Sequence, residues 1–403
     1  KQGFRVTEQN RKHLHRFNLD KWYQIEFDGM PTSTAAVTLA QLGDVAKVQF
    51  NTLSECGNEN EATALTEEAS ENSDLPFNDR LLKDQWHYIN VGDRKITSAA
   101  VEGADIGVKD VWSKLKVGGD KEIIVAVLDG PIKETHEDLA ENMWVNIAEK
   151  NGEKGKDDDN NGFIDDIHGY NFESDTCGLS WNKTGESSHG THVAGTIAAV
   201  NNNGIGVSGL AGGDAAAKVQ GVKLLSCQIF APNPDDPQKD FGGDGGDAIV
   251  WGADNGAVIS QNSWGYVYET AEEAKKASIE GTALAAAIDY FIANAGKDAN
   301  GNQTGPMAGG IVIFAAGNSG WPNDPICEYE PVLAVGSIAP NFTRASYSNY
   351  GDWVDIAAPG GSVDYAQGEI LSTIPDNGYG YMQGTSMACP HVSGVAALVV
   401  SHH

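Results

Sequence analysis

The stretch "EIIVAVLD", Glu122 to Asp129, constrains the fold of this chain more than any other. Its apolar residues run without alternation and stop at an acid, the signature of a parallel strand covered on both faces. A regular rhythm follows it. "GTHVAGTIAAV" reads as a helix, "VQGVKLL" as a strand, "DGGDAIVWGADNG" as a helix and "AVISQNSWG" as a strand. "GTALAAAIDYFIANAG" is a further helix, and "GIVIFAAGNSG" and "VLAVGSI" are further strands. The alternation predicts an α/β fold, a mostly parallel twisted sheet with helices on both faces. Such sheets carry their sites at the carboxyl ends of strands, where several polar residues of this chain stand.

Length and charge narrow the function. The 403 residues suit one large domain and one smaller one. A formal charge of −29 argues against nucleic-acid binding, since no basic stripe can displace phosphate counterions. No apolar run approaches the ~20 residues of a membrane span. The start, "KQGFRVTEQNRKHLHRF", lacks the apolar core of a signal peptide, so any export signal is already gone. The five cysteines are widely spaced and form no CxxC pair, which reads as buried thiols with at most one bridge.

Residues 1–55 read as a small α/β unit. "KWYQIEF" (Lys21–Phe27) and "AKVQF" (Ala46–Phe50) look strand-like and flank a short helix at Ser33–Gly43. Residues 56–76 form an acidic, small-residue-rich linker and the domain boundary, and residues 77–403 form the main domain.

Three residues of the main domain point to nucleophilic catalysis. Asp129 closes the first strong strand, His189 stands in "SSHGTHVAG" at a loop-to-helix junction, and Ser386 opens a helix in "GTSMACPH". The order Asp…His…Ser is one in which the catalytic triad recurs. A serine hydroxyl needs an imidazole to take its proton, and the imidazole needs a carboxylate to hold its tautomer. The small residues of "GTS" leave the serine uncovered, with its own N–H at a helix start. Asn318, between glycines in "FAAGNSG", is a candidate side-chain donor to the developing oxyanion.

The motifs "VAVLD", "SSHGTHVAGT", "NSWG", "AAGN", "DIAAPG" and "GTSMACPHVSG" resemble, in collinear order, those of the subtilisin-like serine peptidases, the subtilases. The resemblance implies Asp129 as triad acid, His189 as general base, Ser386 as nucleophile and Asn318 as oxyanion donor. It implies structural roles for His192 and His391, and packing for Cys389. It places Ser263, Trp264 and Gly265 along the edge that pairs with an extended polypeptide substrate. Ala315, Ala316 and Gly317 would wall the primary specificity pocket. The chain departs from the family where Gly130 and Pro131 follow the acid in place of a hydroxyl residue and glycine.

Two calcium sites are expected. In "DDDNNGFIDD", Asp157, Asp159 and Asn161 alternate and Gly162 follows, the opening of an EF-hand-type loop. His168 stands where the closing glutamate would be, so Asp165 or Asp166 would close the shell. The second site rests on the resemblance: the loop "NNNGIGVSG" would hold Ca2+ through Asn203 and the carbonyls of Ile205 and Val207, with Asp138 and Gln85.

"FNDRLLKDQWHYINVG" resembles the start of mature subtilase domains, which makes residues 1–55 the expected inhibitory propeptide, cut away within 56–76. The resemblance implies a secreted, periplasmic or cell-surface peptidase made as a self-processing zymogen. The chain continues only to His403 after Ser386, shorter than the family pattern, so truncation at the C-terminus is expected. The alternative reading is a catalytically inactive binding protein on the same fold.

Overall fold

The computed structural model describes residues 1–56, 63–64, 75–179, 188–232, 240–242 and 245–403. Seven parallel strands form the central sheet. Their spatial order is Ile356–Pro359, Leu333–Ile338, Ile311–Ala315, Ile259–Asn262, Ile124–Asp129, Lys223–Gln228 and Gly169–Asn171. The unbroken apolar run now has its reason. Val125 and Val127 pack with Val193, Ile197 and Met387 on one face, and Ala126 and Leu128 pack with Ile249, Trp251 and Phe291 on the other. A strand so covered has no polar side.

The helices His189–Ala198 and Thr385–His402 lie on the first face, and Gly246–Asp254 and Ala283–Asn294 on the second. The first of these is buried along its whole length, which its small residues permit. Chain order reverses at the middle of the sheet: Lys223–Gln228 and Ile259–Asn262, both later in sequence, flank Ile124–Asp129 on opposite sides. A crevice at the carboxyl end of such a strand is the natural binding place in an open α/β sheet.

The N-terminal unit differs from expectation. Helices form at Arg11–Arg16 and Thr32–Ala40, but Lys21–Phe27 and Ala46–Phe50 are not strands. An isolated bridge between Gln2 and Tyr23 is the nearest approach to one. Alternating side chains define two faces, yet a strand also needs a neighbour to satisfy its backbone, and among the described residues these mostly exposed segments gain no more than that bridge. The strand that does form, Ser54–Cys56, straddles the expected boundary. It lies between Trp264–Tyr266 and Asp240–Gly242, antiparallel to both. Thr63–Ala64 pairs with Gly378–Met382. The rest of the expected linker up to Asp74, and with it most of the expected processing region, lies outside the described residues.

Candidate active site

Asp129 ends its strand fully buried at the switch point, and His189 begins the helix packed behind it. Their junction is tight: a Cβ on Gly190 would lie 2.3 Å from the Gly130 carbonyl oxygen, so only glycine lets the helix start there. His189 Nδ1 is 2.7 Å from Asp129 Oδ1, a buried contact that fixes the imidazole tautomer. Gly130 occupies the place of the hydroxyl residue, and its own N–H donates to Asp129 Oδ1 at 2.7 Å.

Ser386 stands in the first turn of Thr385–His402, behind Gly384. Its hydroxyl donates to the Ser263 carbonyl at 3.2 Å, and the Ser263 hydroxyl donates to the Ser386 carbonyl at 2.8 Å. Its N–H, like the others of a first helical turn, has no place in the intrahelical ladder. Asn318 is oriented by chemistry. Its Oδ1 accepts from both the N–H and the hydroxyl of Thr385, each at 2.8 Å, so its Nδ2 is the end left to donate beside Ser386. The neighbouring Gly317 has φ +94, and a Cβ there would meet the Asn349 amide at 2.4 Å.

The other polar groups nearby are structural. His192 shares its Nε2 between the Ile370 and Gly380 carbonyls, and burial pulls its pKa down to about 3. His391 is buried against His87. Cys389 donates to Gln261 Oε1, and burial pushes its thiol up to about 12. Cys227 and Cys327 are also buried thiols, and Cys177 is exposed.

The groove beside these residues holds the chain's own strand. Ser54 pairs with Tyr266, Glu55 with Gly265 and Cys56 with Trp264. Cys56 reaches the dyad: ligand atoms of Cys56, Asp129 and His189 all lie within 4.8 Å of one another. Trp264 turns its indole inward onto Phe314, with ring centroids 5.1 Å apart, and Nε1 donates to Asn262. Its bulk therefore fills the core under the groove.

A pocket opens next to Ser386 and Asn318. Ala315, Gly317 and Gly265 line it, while Ala316 is fully buried with its N–H on the Val335 carbonyl. The sequence reading missed Asn323 and Asp324 in this lining, since "NDPIC" carries no motif. Asp324 Oδ1 accepts the N–H groups of Ile326 and Cys327 at 3.0 and 2.9 Å. Burial nonetheless pushes its carboxyl up to about 6.

Two acidic loops stand apart from these residues in the sequence. In the first, carboxylate oxygens of Glu149, Asp159 and Asp166 come within 4.8 Å of one another. The amides of Asn146 and Asn161 each donate to both Asp159 and Asp166. Burial, with the charges of Asp159 and Glu149, pushes Asp166 up to about 7. Asp157 and Asp165 turn instead to backbone N–H groups, those of Asn161 and Gly162 and that of Gly155. Glu149 was not legible, because it comes from a helix before the motif. In the second loop, Asp138 accepts from the Asn203 amide at 2.7 Å and the Val207 N–H at 3.0 Å. Ile205 donates to Asn203 Oδ1, and Gln85 Oε1 accepts from Ser208. Asp79, also missed, accepts from Asn202, Asn203 and Ser208. All-oxygen donors held close together are the chemistry of a hard cation such as Ca2+.

Comparison with known proteins agrees with this architecture. The sequence model of the subtilase family, Peptidase S8, matches residues 120–403. A thermophilic serine proteinase of Bacillus sp. (strain AK1) is 33% identical over 72% of this chain and 54% of its own length. The extracellular basic protease of Dichelobacter nodosus is 32% identical over 80% of this chain and 48% of its own. The chain thus spans about half the length of the curated relatives it matches. Among solved structures, a protease of Pseudoalteromonas arctica aligns with a TM-score of 0.50 at 29% identity, over 80% of this chain and 86% of its own. The serine protease of Aeromonas sobria, in complex with a chaperone, aligns with a TM-score of 0.58 at 19% identity, over 81% of this chain and 55% of its own. The latter likeness is one of fold.

Proposed function

Because the chain belongs to the subtilase family, we propose that it is a serine endopeptidase made as a precursor that cuts away its own N-terminal unit. The observation that carries this reading is the strand Ser54–Cys56, paired in the groove with Cys56 beside Asp129 and His189. An extended polypeptide substrate held by the same ladder would lie beside Asp129 and His189.

In the proposed reaction, Ser386 Oγ attacks the scissile carbonyl while His189 Nε2 takes its proton. Asp129, on Nδ1, stabilises the imidazolium. The oxyanion receives the Asn318 Nδ2 hydrogen bond and the Ser386 N–H. His189 then returns the proton to the leaving amine. Water repeats the sequence on the acyl-enzyme and frees the acid. Before cleavage the N-terminal unit is the intramolecular inhibitor, and afterwards the same ladder takes polypeptide substrates.

Ca2+ would be held by Glu149, Asp159 and Asp166, and by Asp138 with Asn203, and would neutralise carboxylates that burial otherwise strains. A secreted setting fits the extracellular relative and the lack, among the described residues, of a helix long and apolar enough to cross a membrane.

Intact-mass analysis with a serine-directed phosphonate tests the proposal. Wild type should lose an N-terminal piece ending after Cys56 and gain one adduct at Ser386, and Ser386→Ala should do neither. An uncut, unlabelled wild type would favour the binding-protein alternative.

A further inference from the structure

The pocket beside Ser386 has a carboxylate, that of Asp324, in its lining. Ideal Cβ atoms built on Gly317 and Gly265, both in its lining, would lie 3.7 and 4.0 Å from Asp324 Oδ2. That oxygen therefore lies close to both glycines, within the lining of the pocket that also holds Ser386. The other oxygen is anchored by the Ile326 and Cys327 N–H groups, which fix the carboxylate in this orientation. Asp324 is partly accessible, so a ligand can touch it. Among the described ion pairs none involves it, and the nearby Glu328 adds negative charge.

Resting on the peptidase reading, we propose that in separate polypeptide substrates Asp324 selects a lysine or arginine on the amino side of the scissile bond; residues 48–79 hold neither, so self-cleavage, driven by the tethered strand, proceeds without this contact. A basic side chain entering beside Gly265 and Gly317 meets the carboxylate and supplies the cation it lacks. An apolar side chain would strip water from the carboxylate and return nothing, and an acidic one would be repelled. A charge-assisted hydrogen bond in such a place is worth ~10–100-fold in selectivity.

Processed wild-type enzyme, titrated with a small neutral phosphonate, should be assayed on peptide amides that differ only at this position. Arginine and lysine should exceed leucine and phenylalanine in kcat/KM by ~10–100-fold, with glutamate lowest. Asp324→Asn should lose most of that advantage. Phosphonate labelling reports whether each variant is folded, and Asp324→Ser takes the place of an Asn variant that does not label. A labelled wild type that prefers apolar residues overturns the proposal while leaving the peptidase reading intact. So does a folded Asp324→Asn enzyme that keeps the basic preference. A wild type that takes no phosphonate overturns both.

Discussion

The N-terminal segment meets the main domain in two places that work by different physics. At the groove, Ser54–Cys56 is held by a backbone ladder. Away from it, the contact is made by side chains. Phe4, Leu14 and Leu19 are buried in the cluster that includes Trp251, Ile288 and Tyr290. The Arg5 guanidinium lies 4.0 Å above the Phe163 ring and donates to the Gly162 carbonyl and to Asp175. The Asn10 amide donates to Asp254. A ladder accepts any extended chain, whereas buried side chains accept one partner. On the proposed reading, a self-inhibitor joined by both can be specific without spoiling the groove for other polypeptides.

The largest test of that division is Leu14→Ala in the uncut Ser386→Ala chain. Leu14 is fully buried, so truncation should lower the opening free energy of Arg11–Arg16 by about 2–5 kcal/mol. Hydrogen exchange would read this, with the Glu55 amide little changed. If both regions loosen together, the two contacts are one cooperative unit. A smaller effect belongs to the ladder. Val267 N–H donates to the Leu53 carbonyl, and antiparallel pairs alternate, so Glu55 and Gly265 form the next hydrogen-bonded pair. Glu55→Pro removes an N–H and should cost ~0.5–1.5 kcal/mol, slowing self-cleavage in the wild-type background. Glu55→Ala, at an exposed side chain, should stay within about 0.5 kcal/mol. Equal effects from the two would show that the side chain, rather than the backbone, is recognised.

The same contrast explains what the sequence made legible. Asp129, His189, Asn318 and Ser386 stand at strand ends and helix starts, where chemistry and backbone geometry fix the neighbours as well as the residue itself. Gly190 must let a helix approach the Gly130 carbonyl, and Gly317 must take a positive φ, so each candidate residue arrives inside a motif. The central strand was legible because burial on both faces dictates an unbroken apolar run. Asp324, Glu149 and Asp79 were not, because each is brought to its place by a loop or helix whose course only the tertiary structure sets. The N-terminal unit misled for a related reason. Alternation in Lys21–Phe27 and Ala46–Phe50 describes faces, while strand formation is decided by a partner elsewhere in the chain. Ser54–Cys56, with no strong pattern of its own, has two such partners.

The smallest prediction concerns pH and again separates the two contacts. The Arg5 N–H donates to Asp247 on the side-chain face, and burial pushes the Asp247 carboxyl up to about 6 against the pull of that N–H and of the Arg5 charge. The folded pKa thus lies above the unfolded one, so the folded state holds this proton more tightly. The stability it contributes is complete below about pH 4 and is lost as pH rises through about 6. Asp247 is partly exposed, which limits the effect to about 1 kcal/mol or less. In the uncut Ser386→Ala chain, hydrogen exchange at Arg11–Arg16 should therefore quicken between pH 4.5 and 6.5 beyond the intrinsic rate change. Adding Asp247→Asn should reduce that excess, the remainder belonging to Asp254, which burial also pushes up to about 6 beside Asn10, while protection at Glu55, held by backbone groups that do not titrate, should change alike in both chains. An unchanged excess in the Asp247→Asn chain would place the titrating group elsewhere on the face.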